Sequence, residues 1–360
     1  MRVIHVIDSL ALGGAEVMAA TLAREHRAVG HAVSFQCLFE RGSLGRQLQA
    51  EGFAVELIGP AASAVLSRRL LQRFRALRPD VVHCHNAAAT VTAAWPARLS
   101  GARAISTRHG LVAPPYGRVA ALKYALAAAA CRHVVGVCDA TVANLGRFPL
   151  LRRSALTRVY NGAACPPGER GESQAPAGLC LVSVGRLVPL KNFAGLLRAV
   201  ARARAPEPGE AEHEVRLTIV GGGPHAAELR RLATELGLLG AVTWAGEQRN
   251  IWPYLQAADA FVLASQSEGL PISLLEAMGA GLPSIVSDVG GMPEAVRAAN
   301  AGLVVPRGDD AALAAAILRL AGDRVLRQKM GAAAQAGYHR LFSPRAMAQA
   351  YLRVYGCADA

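Results

Sequence analysis

The chain is expected to fold as an α/β protein of two doubly wound domains, and three observations carry that expectation. Short apolar runs alternate with longer stretches of helical periodicity along nearly the whole sequence, as parallel sheets covered by helices require. A length of 360 residues exceeds what one hydrophobic core usually spans. The alternation breaks at 161–178, NGAACPPGERGESQAPAG, where Pro, Gly and small polar residues describe a linker.

In the first half, apolar runs at 3–7, 32–37, 55–58, 81–85, 104–107 and 134–137 are the expected strands. Helical periodicity at 15–29 and 66–77 supplies two of the connections, and Arg78-Pro79 stops the second of them before Asp80 opens the next strand. After the linker, strands are expected at 179–184, 215–220, 242–245, 260–263, 284–287 and 303–305. Helices are expected at 193–204, 225–236, 310–320, 324–341 and 345–355. The domain boundaries follow: 1–163, a linker at 164–178, 179–341, and a terminal helix within 342–360 that is free to cross back to the first domain.

Composition narrows the class. Hydrophobic residues make up 52% and charged ones 18%, with mean hydropathy +0.25, which excludes an intrinsically disordered chain. The longest near-apolar stretch, 119–131, is interrupted by Lys123 and is too short for the ~20 residues of a bilayer span. The first ten residues hold only Arg2 as a cation and carry Asp8 within the apolar run, a poor fit to a secretory signal. A cytoplasmic location is expected. Seven cysteines, none in a CxxC arrangement, point to buried free thiols rather than to structural zinc.

Charge is distributed unevenly. Residues 1–165 hold 20 Lys and Arg against 8 Asp and Glu; residues 166–360 hold 19 against 18. The pI near 10.0 is thus a property of the first half, which should meet a polyanion: nucleic acid, an anionic membrane or a phosphorylated substrate. Aromatics are only 5% and no basic-aromatic interleaving occurs, so nucleic acid is not the expected partner. Within this half, Leu66, Leu70, Leu71, Phe74 and Leu77 form an apolar helical stripe, with Arg68, Arg69, Arg73, Arg75 and Arg78 on the remainder. Such a helix is either a membrane-surface contact or a core helix with a solvated arginine face. Arg147, Arg152 and Arg153 beside Phe148, Leu150 and Leu151 form a second basic, apolar patch.

Several motifs carry chemistry. Gly13-Gly14-Ala15-Glu16 follows the first strand and opens a helix, where backbone can approach an anion; the spacing is neither GxGxxG nor a P-loop. Gly185-Arg186 closes the first strand of the second half, with Lys191 and Asn192 shortly beyond, at the carboxyl edge where open sheets bind ligands. An Arg grips phosphate through two N–H groups and a Lys adds a point charge. The segment SQSEGLPISLLEAM, 265–278, sets Glu268 at a strand-to-helix turn and Glu276 eight residues on, among Leu274, Leu275, Ala277 and Met278. A carboxylate among apolar neighbours needs a partner. His83 and His85 share one strand face; a metal pair is conceivable, and structural or pocket-lining histidines are the reading adopted.

Taken in order along the chain, these motifs resemble the retaining glycosyltransferases of family 4, which have the GT-B architecture of two Rossmann-like domains facing across a cleft. Glu268 to Glu276 resembles the E-x7-E motif of that family. Gly13-Gly14-Ala15-Glu16, DVVHCHN at 80–86, TRHG at 107–110, Tyr160-Asn161-Gly162, GR-x4-KN at 185–192, GGGP at 221–224, Gly246-Glu247, Ala258-Asp259 and DVGGMPE at 288–294 all stand in family order. The resemblance implies that Arg186 and Lys191 bind the donor diphosphate, with Gly14 approaching it from the first domain. It implies that Glu276 holds the nucleotide ribose and Glu268 the transferred sugar, with His109 the active-site histidine near that sugar. Gly269, Leu270 and Pro271 would shape the sugar and nucleotide site, and Gly246 and Glu247 would lie near the base. No DxD motif is present, so a metal-independent enzyme without a cofactor is expected. The implied activity is hexosyl transfer from a nucleotide-sugar donor such as a UDP- or GDP-sugar, with retention by front-face attack. The acceptor would be a glycan or lipid-linked molecule in cell-envelope polysaccharide, lipopolysaccharide or glycolipid synthesis, reached by a protein peripheral on the inner face of an anionic membrane. A nucleotide-sugar epimerase of the same architecture is the enzyme alternative, and a basic nucleic-acid-binding protein the non-enzymatic one.

Overall fold

A computed structural model describes every residue except 12, 112–116, 149, 167–177, 206–212 and 358–360. The expected linker therefore falls largely outside the described residues. The chain divides into two compact units, Met1–Gly162 with Pro344–Ala360, and Ala163–Ser343.

The first unit is built from β1 (Arg2–Ser9), α1 (Gly14–Ala28), β2 (Ala32–Glu40), α2 (Gly42–Ala50), β3 (Ala54–Leu57), α3 (Ser63–Leu77) and β4 (Val81–His85). There follow α4 (Asn86–Leu99), β5 (Arg103–Arg108), α5 (Arg118–Ala128), β6 (His133–Gly136), α6 (Asp139–Leu145) and β7 (Leu156–Arg158). The seven strands are ordered β3-β2-β1-β4-β5-β6-β7, every pair parallel. β1 and β4 are neighbours paired in register, His5 opposite His83. β7 was not an expected strand: three residues, one of them Arg158, carry no readable alternation.

The second unit comprises β8 (Leu179–Val184), α7 (Phe193–Arg204), β9 (Val215–Val220), α8 (Ala226–Glu235), β10 (Val242–Gly246), α9 (Trp252–Gln256) and β11 (Ala260–Leu263). It continues with α10 (Ile272–Gly279), β12 (Ser284–Ser287), α11 (Met292–Ala299), β13 (Gly302–Val305), α12 (Asp310–Gly322) and α13 (Arg324–Gly337). Its six parallel strands run β10-β9-β8-β11-β12-β13. The helix expected over 324–341 is α13 followed by a π-helical turn, Tyr338–Phe342, whose Phe342 carbonyl accepts from the Ala163 N–H. After Ser343, α14 (Pro344–Tyr355) packs on α1 and belongs to the first unit.

Each sheet reverses its strand order beside its first strand, between β1 and β4 and between β8 and β11. In open α/β sheets ligands bind in the crevice outside the carboxyl ends at such a point. α3 shows how local composition was read by the fold: Leu66, Leu70 and Phe74 are buried in the first unit's core and the arginines stay outside. The apolar stripe is therefore a core face and is not free to enter a bilayer.

Candidate active site

The second unit assembles most of its motif residues at the carboxyl ends of β8 and β11. Beyond β8 the chain passes Gly185-Arg186 into a single 3-10 turn, Pro189–Lys191. The stem of Lys191 lies 3.5 Å from where a Gly185 Cβ would stand. Beyond β11, Gln266 N–H donates to the Leu190 carbonyl at 2.8 Å, which pins the two loops together. Lys191 Nζ then reaches Glu268 Oε1 at 2.5 Å, and Ser265 Oγ donates to the same oxygen at 2.8 Å. Side-chain exposures of 19% and 12% for Lys191 and Glu268 place this pair between a surface bridge and a buried one.

The turn that carries Glu268 is held by close backbone packing. Gly290 has φ +58 and its Cβ would fall 2.0 Å from the Glu268 carbonyl oxygen, so only glycine fits. Gly291 N–H donates to Gly269 O at 2.6 Å, while Gly269, Leu270 and Pro271 are buried. Pro271 is the N-cap of α10 in extended conformation. Glu276 follows one turn into that helix. Burial lifts its carboxyl to about 7 from an ordinary value of 4.5. Glu276 is partly buried on the helix, between the buried Leu275 and Ala277, and does not lie on a fully solvated face. Arg186 is exposed and has no ion pair among the described residues. Gly246, at φ +69, accepts through its carbonyl from Gly221 N–H at 2.8 Å, and Glu247 beside it is exposed.

The first unit collects histidines at its own reversal point. His5 on β1 and His83 and His85 on β4 are wholly buried. His5 Nδ1 meets His85 Nε2 at 2.9 Å, and His85 Nδ1 meets His109 Nε2 at 3.1 Å. His83 bonds Tyr355 Oη and Thr107 Oγ1, both at 2.7 Å. Thr107 Oγ1 also meets Tyr351 Oη at 3.0 Å, so α14 closes over this cluster. One ring nitrogen from each of His5, His83 and His85 lies within 4.8 Å of the others, a spacing open to a metal ion. Five of those six nitrogens are already hydrogen-bonded, which leaves few lone pairs to offer. Gly14 begins α1 and is exposed; Gly13, its N-cap, is packed by the Glu16 carboxylate, 2.3 Å from a built Cβ.

Three residues to which motif reading gave no role also stand here, two of them, Asn86 and Arg108, inside the motifs at 80–86 and 107–110. Asp8, near the end of β1, has its carboxyl raised to about 6 by burial, and its Oδ1 is buried without a hydrogen bond. Arg108 ends β5 with its guanidinium 5.2 Å from the Tyr124 ring centroid. Asn86, at φ +68, accepts the His109 N–H through Oδ1 at 3.4 Å. Its left-handed conformation is a feature only the structure shows, since a non-glycine residue has to be held there by its surroundings. The reversal point of the second unit offers cations suited to phosphate and carboxylates suited to hydroxyl groups, and that of the first unit offers buried imidazoles.

Comparison with known proteins bears on the family and the fold. The family model "Glycosyltransferase Family 4" matches residues 12–165, and "Glycosyl transferases group 1" matches residues 172–337. The lipopolysaccharide core biosynthesis glycosyltransferase LpsD of Rhizobium meliloti is 39% identical over 191 residues, 53% of this chain and 53% of LpsD. The putative glycosyltransferase EpsF of Bacillus subtilis is 28% identical over 313 residues, 80% of this chain and 79% of EpsF. The match thus spans about half the length of LpsD and of its relative LpsE. Among solved structures, Anabaena Alr3699/HepE in complex with UDP superposes with TM-score 0.84 at 19% identity, covering 98% of this chain and 99% of HepE. The apo lipopolysaccharide outer core galactosyltransferase WaaB gives TM-score 0.80 at 18% identity, covering 99% of each chain. Those two show the fold, and with the two family models the conclusion is plain: the chain belongs to the glycosyltransferases of family 4 and has the GT-B fold.

Proposed function

We propose that the protein transfers a hexosyl group from a nucleotide-diphosphate donor, with retention of configuration, to a glycan or lipid-linked acceptor of the cell envelope. The observation that carries this reading is Glu276, a partly buried carboxyl on α10 that loss of solvent holds near 7 and that needs hydroxyl donors to ionise comfortably. A ribose diol supplies two. Arg186 and Lys191 would take the diphosphate, with Gly14 backbone at the start of α1 as a further donor. Negative charge grows on the leaving diphosphate as the sugar gains oxocarbenium character, and fixed cations in place beforehand lower that barrier. Lys191 is paired with Glu268 here, so a bound donor would draw the ammonium toward phosphate and leave Glu268 to the sugar hydroxyls. His109 would face the same sugar, and Gly246 and Glu247 the base. No residue is assigned as a covalent nucleophile, and front-face attack needs none; no metal is assigned either.

Relatives and neighbours support the donor and pathway class: LpsD and LpsE are named for lipopolysaccharide core biosynthesis, and HepE was solved with UDP and with UDP-glucose. A membrane-held acceptor has its own support in the first unit. No helix among the described residues is long and apolar enough to cross a membrane. Yet Trp95 and Leu99 on α4 and Leu122 and Leu126 on α5 are exposed, and Trp95 Nε1 donates to the Leu126 carbonyl at 3.1 Å. Exposed Arg98 and Lys123 flank them, a mixture suited to an anionic lipid surface. The test is release of nucleoside diphosphate from UDP-, GDP- and ADP-sugars with envelope glycolipid as acceptor, followed by assignment of the product anomer. Turnover that persists in EDTA with a retained anomer is the expected result. Absence of turnover with every donor, or an inverted product, would refute it.

A further inference from the structure

We propose that His85 and His5 are positioning residues that set the tautomer of His109, through a one-way hydrogen-bond chain running from the core of the first unit to its ligand edge. The proposal rests on the reading of His109 as the sugar-facing histidine and adds to it how that ring is kept in one state.

Three rings are linked by two contacts, His5 Nδ1 to His85 Nε2 at 2.9 Å and His85 Nδ1 to His109 Nε2 at 3.1 Å. Each contact needs one N–H and one lone pair, and a neutral imidazole carries one of each. Burial keeps the rings neutral: it lowers His5 and His109 to about 3 and drives His85 well below the ordinary histidine range. Only two proton arrangements then satisfy the chain. In one, every ring carries its proton on Nε2, and His5 ends the chain with an N–H. In the other, every ring carries it on Nδ1, and His109 ends the chain with an N–H.

The two ends are not equivalent. His5 is wholly buried, stacked on Phe35 at 5.2 Å between centroids, and its Nε2 has no partner among the described residues. An N–H abandoned there would never meet an acceptor, whereas an unused lone pair costs less. His109 follows β5 at the carboxyl edge and is partly exposed as a residue, but its Nδ1 is itself enclosed and has no partner among the described residues, so only a ligand brought against this edge can reach it. An N–H at that end can be satisfied by a hydroxyl oxygen of a bound ligand. The chain therefore runs outward, His5 donating to His85 and His85 to His109. His109 is left presenting an Nδ1–H, as a hydrogen-bond donor and not as a base. His83 stands beside the chain, both nitrogens taken by Tyr355 and Thr107, so it cannot divert a proton from His85.

The experiment is nitrogen-15 NMR of the full-length protein with labelled histidine, which reports the protonated nitrogen of each ring. Signals are assigned by single His→Gln variants. The expected result is Nδ1–H on His5, His85 and His109, opposite to the Nε2–H form that free histidine prefers. Nε2–H on any of the three overturns the chain. Replacing His5 by Leu removes the inner donor; it should mix the tautomers of His109 and lower kcat about tenfold, with the donor KM within about twofold. His5→Asn, whose amide N–H stands near the Nδ1 position, should restore both. Unchanged His109 tautomer and kcat in His5→Leu would refute the positioning role. Normal turnover in His109→Ala with the Nδ1–H pattern intact in the wild type would refute the sugar-facing role instead, so the two failures are distinct.

Discussion

If Glu276 binds the donor ribose as a carboxylate, donor affinity should depend on pH in a window that the burial of this side chain sets. Its carboxyl sits at about 7 in the unliganded protein, raised from 4.5 by loss of solvent. Ribose hydroxyls donate to the ionised form and favour it, so binding competes with protonation below that value. At pH 6 about one molecule in eleven is ionised and at pH 8 about ten in eleven, giving roughly tenfold tighter binding at pH 8, close to 1.4 kcal/mol. Isothermal titration with the nucleoside diphosphate across pH 5.5 to 8.5 would measure it, after subtraction of the same series for Glu276→Gln. That subtraction removes titration of the phosphate itself, and the variant series should lack the step. Stability offers an independent check with the opposite sense. The group is raised on folding, so its contribution is complete below 4.5 and is lost as pH rises through 7. Relative to Glu276→Gln, the unliganded wild type should therefore lose up to about 3 kcal/mol between pH 4.5 and 8. Wild-type and variant affinities that run parallel over the whole range would refute the assignment.

Other expectations concern the rest of the site. Glu268→Ala should lower turnover on the order of 10²-fold or more while the protein stays folded, because it removes a group proposed to hold the sugar; near-normal turnover would discard that role. Arg186→Ala with Lys191→Ala should weaken nucleoside diphosphate binding by about 1.5–3 kcal/mol per lost charged hydrogen bond, and calorimetry showing unchanged affinity would relocate the phosphate site. Tyr355→Phe keeps the packing of α14 but unpairs His83 Nδ1, so the urea midpoint should fall by the equivalent of ~1–3 kcal/mol. Co-sedimentation with anionic liposomes should rise with lipid charge and fall with salt, and Arg98 and Lys123 to Gln should weaken it; indifference of the wild type at low salt would remove the membrane partner.

The strands were legible because buried parallel strands are continuous apolar runs. β8, β9, β11 and β12 occupy the residues that hydrophobicity marks. β7 was not, since a three-residue edge strand is defined by its neighbour and not by its own pattern. The basic helix was ambiguous for a physical reason: a core helix and a membrane-surface helix have the same stripe, and only the fold shows Leu66, Leu70 and Phe74 turned inward. Its arginines were also less free than the sequence implies, as Arg73 pairs with Glu56 and Arg69 donates to the Ile58 carbonyl. In the site, motif spacing singled out Lys191 and Glu268 but could not show that they pair, because residues 77 apart in the chain meet only through the adjacency of β8 and β11. His5 was invisible for the same reason. A lone histidine in an apolar run gains its meaning only from the register that sets it against His83.

The return of α14 gives synthesis of this chain an unusual order. A ribosome delivers β1 to β7 first, yet the tyrosines that cap His83 and Thr107 arrive only after the second unit. Between them the whole second unit must emerge, which at ~5–20 residues per second takes on the order of ten to forty seconds. Throughout that interval the nascent first unit has α1 uncovered and the buried His26, which meets the Ala348 carbonyl in the finished protein, without its partner. The unit begun first is completed only after the second has been made. A premature stop near 343 would therefore spare the second unit and damage the one already synthesised.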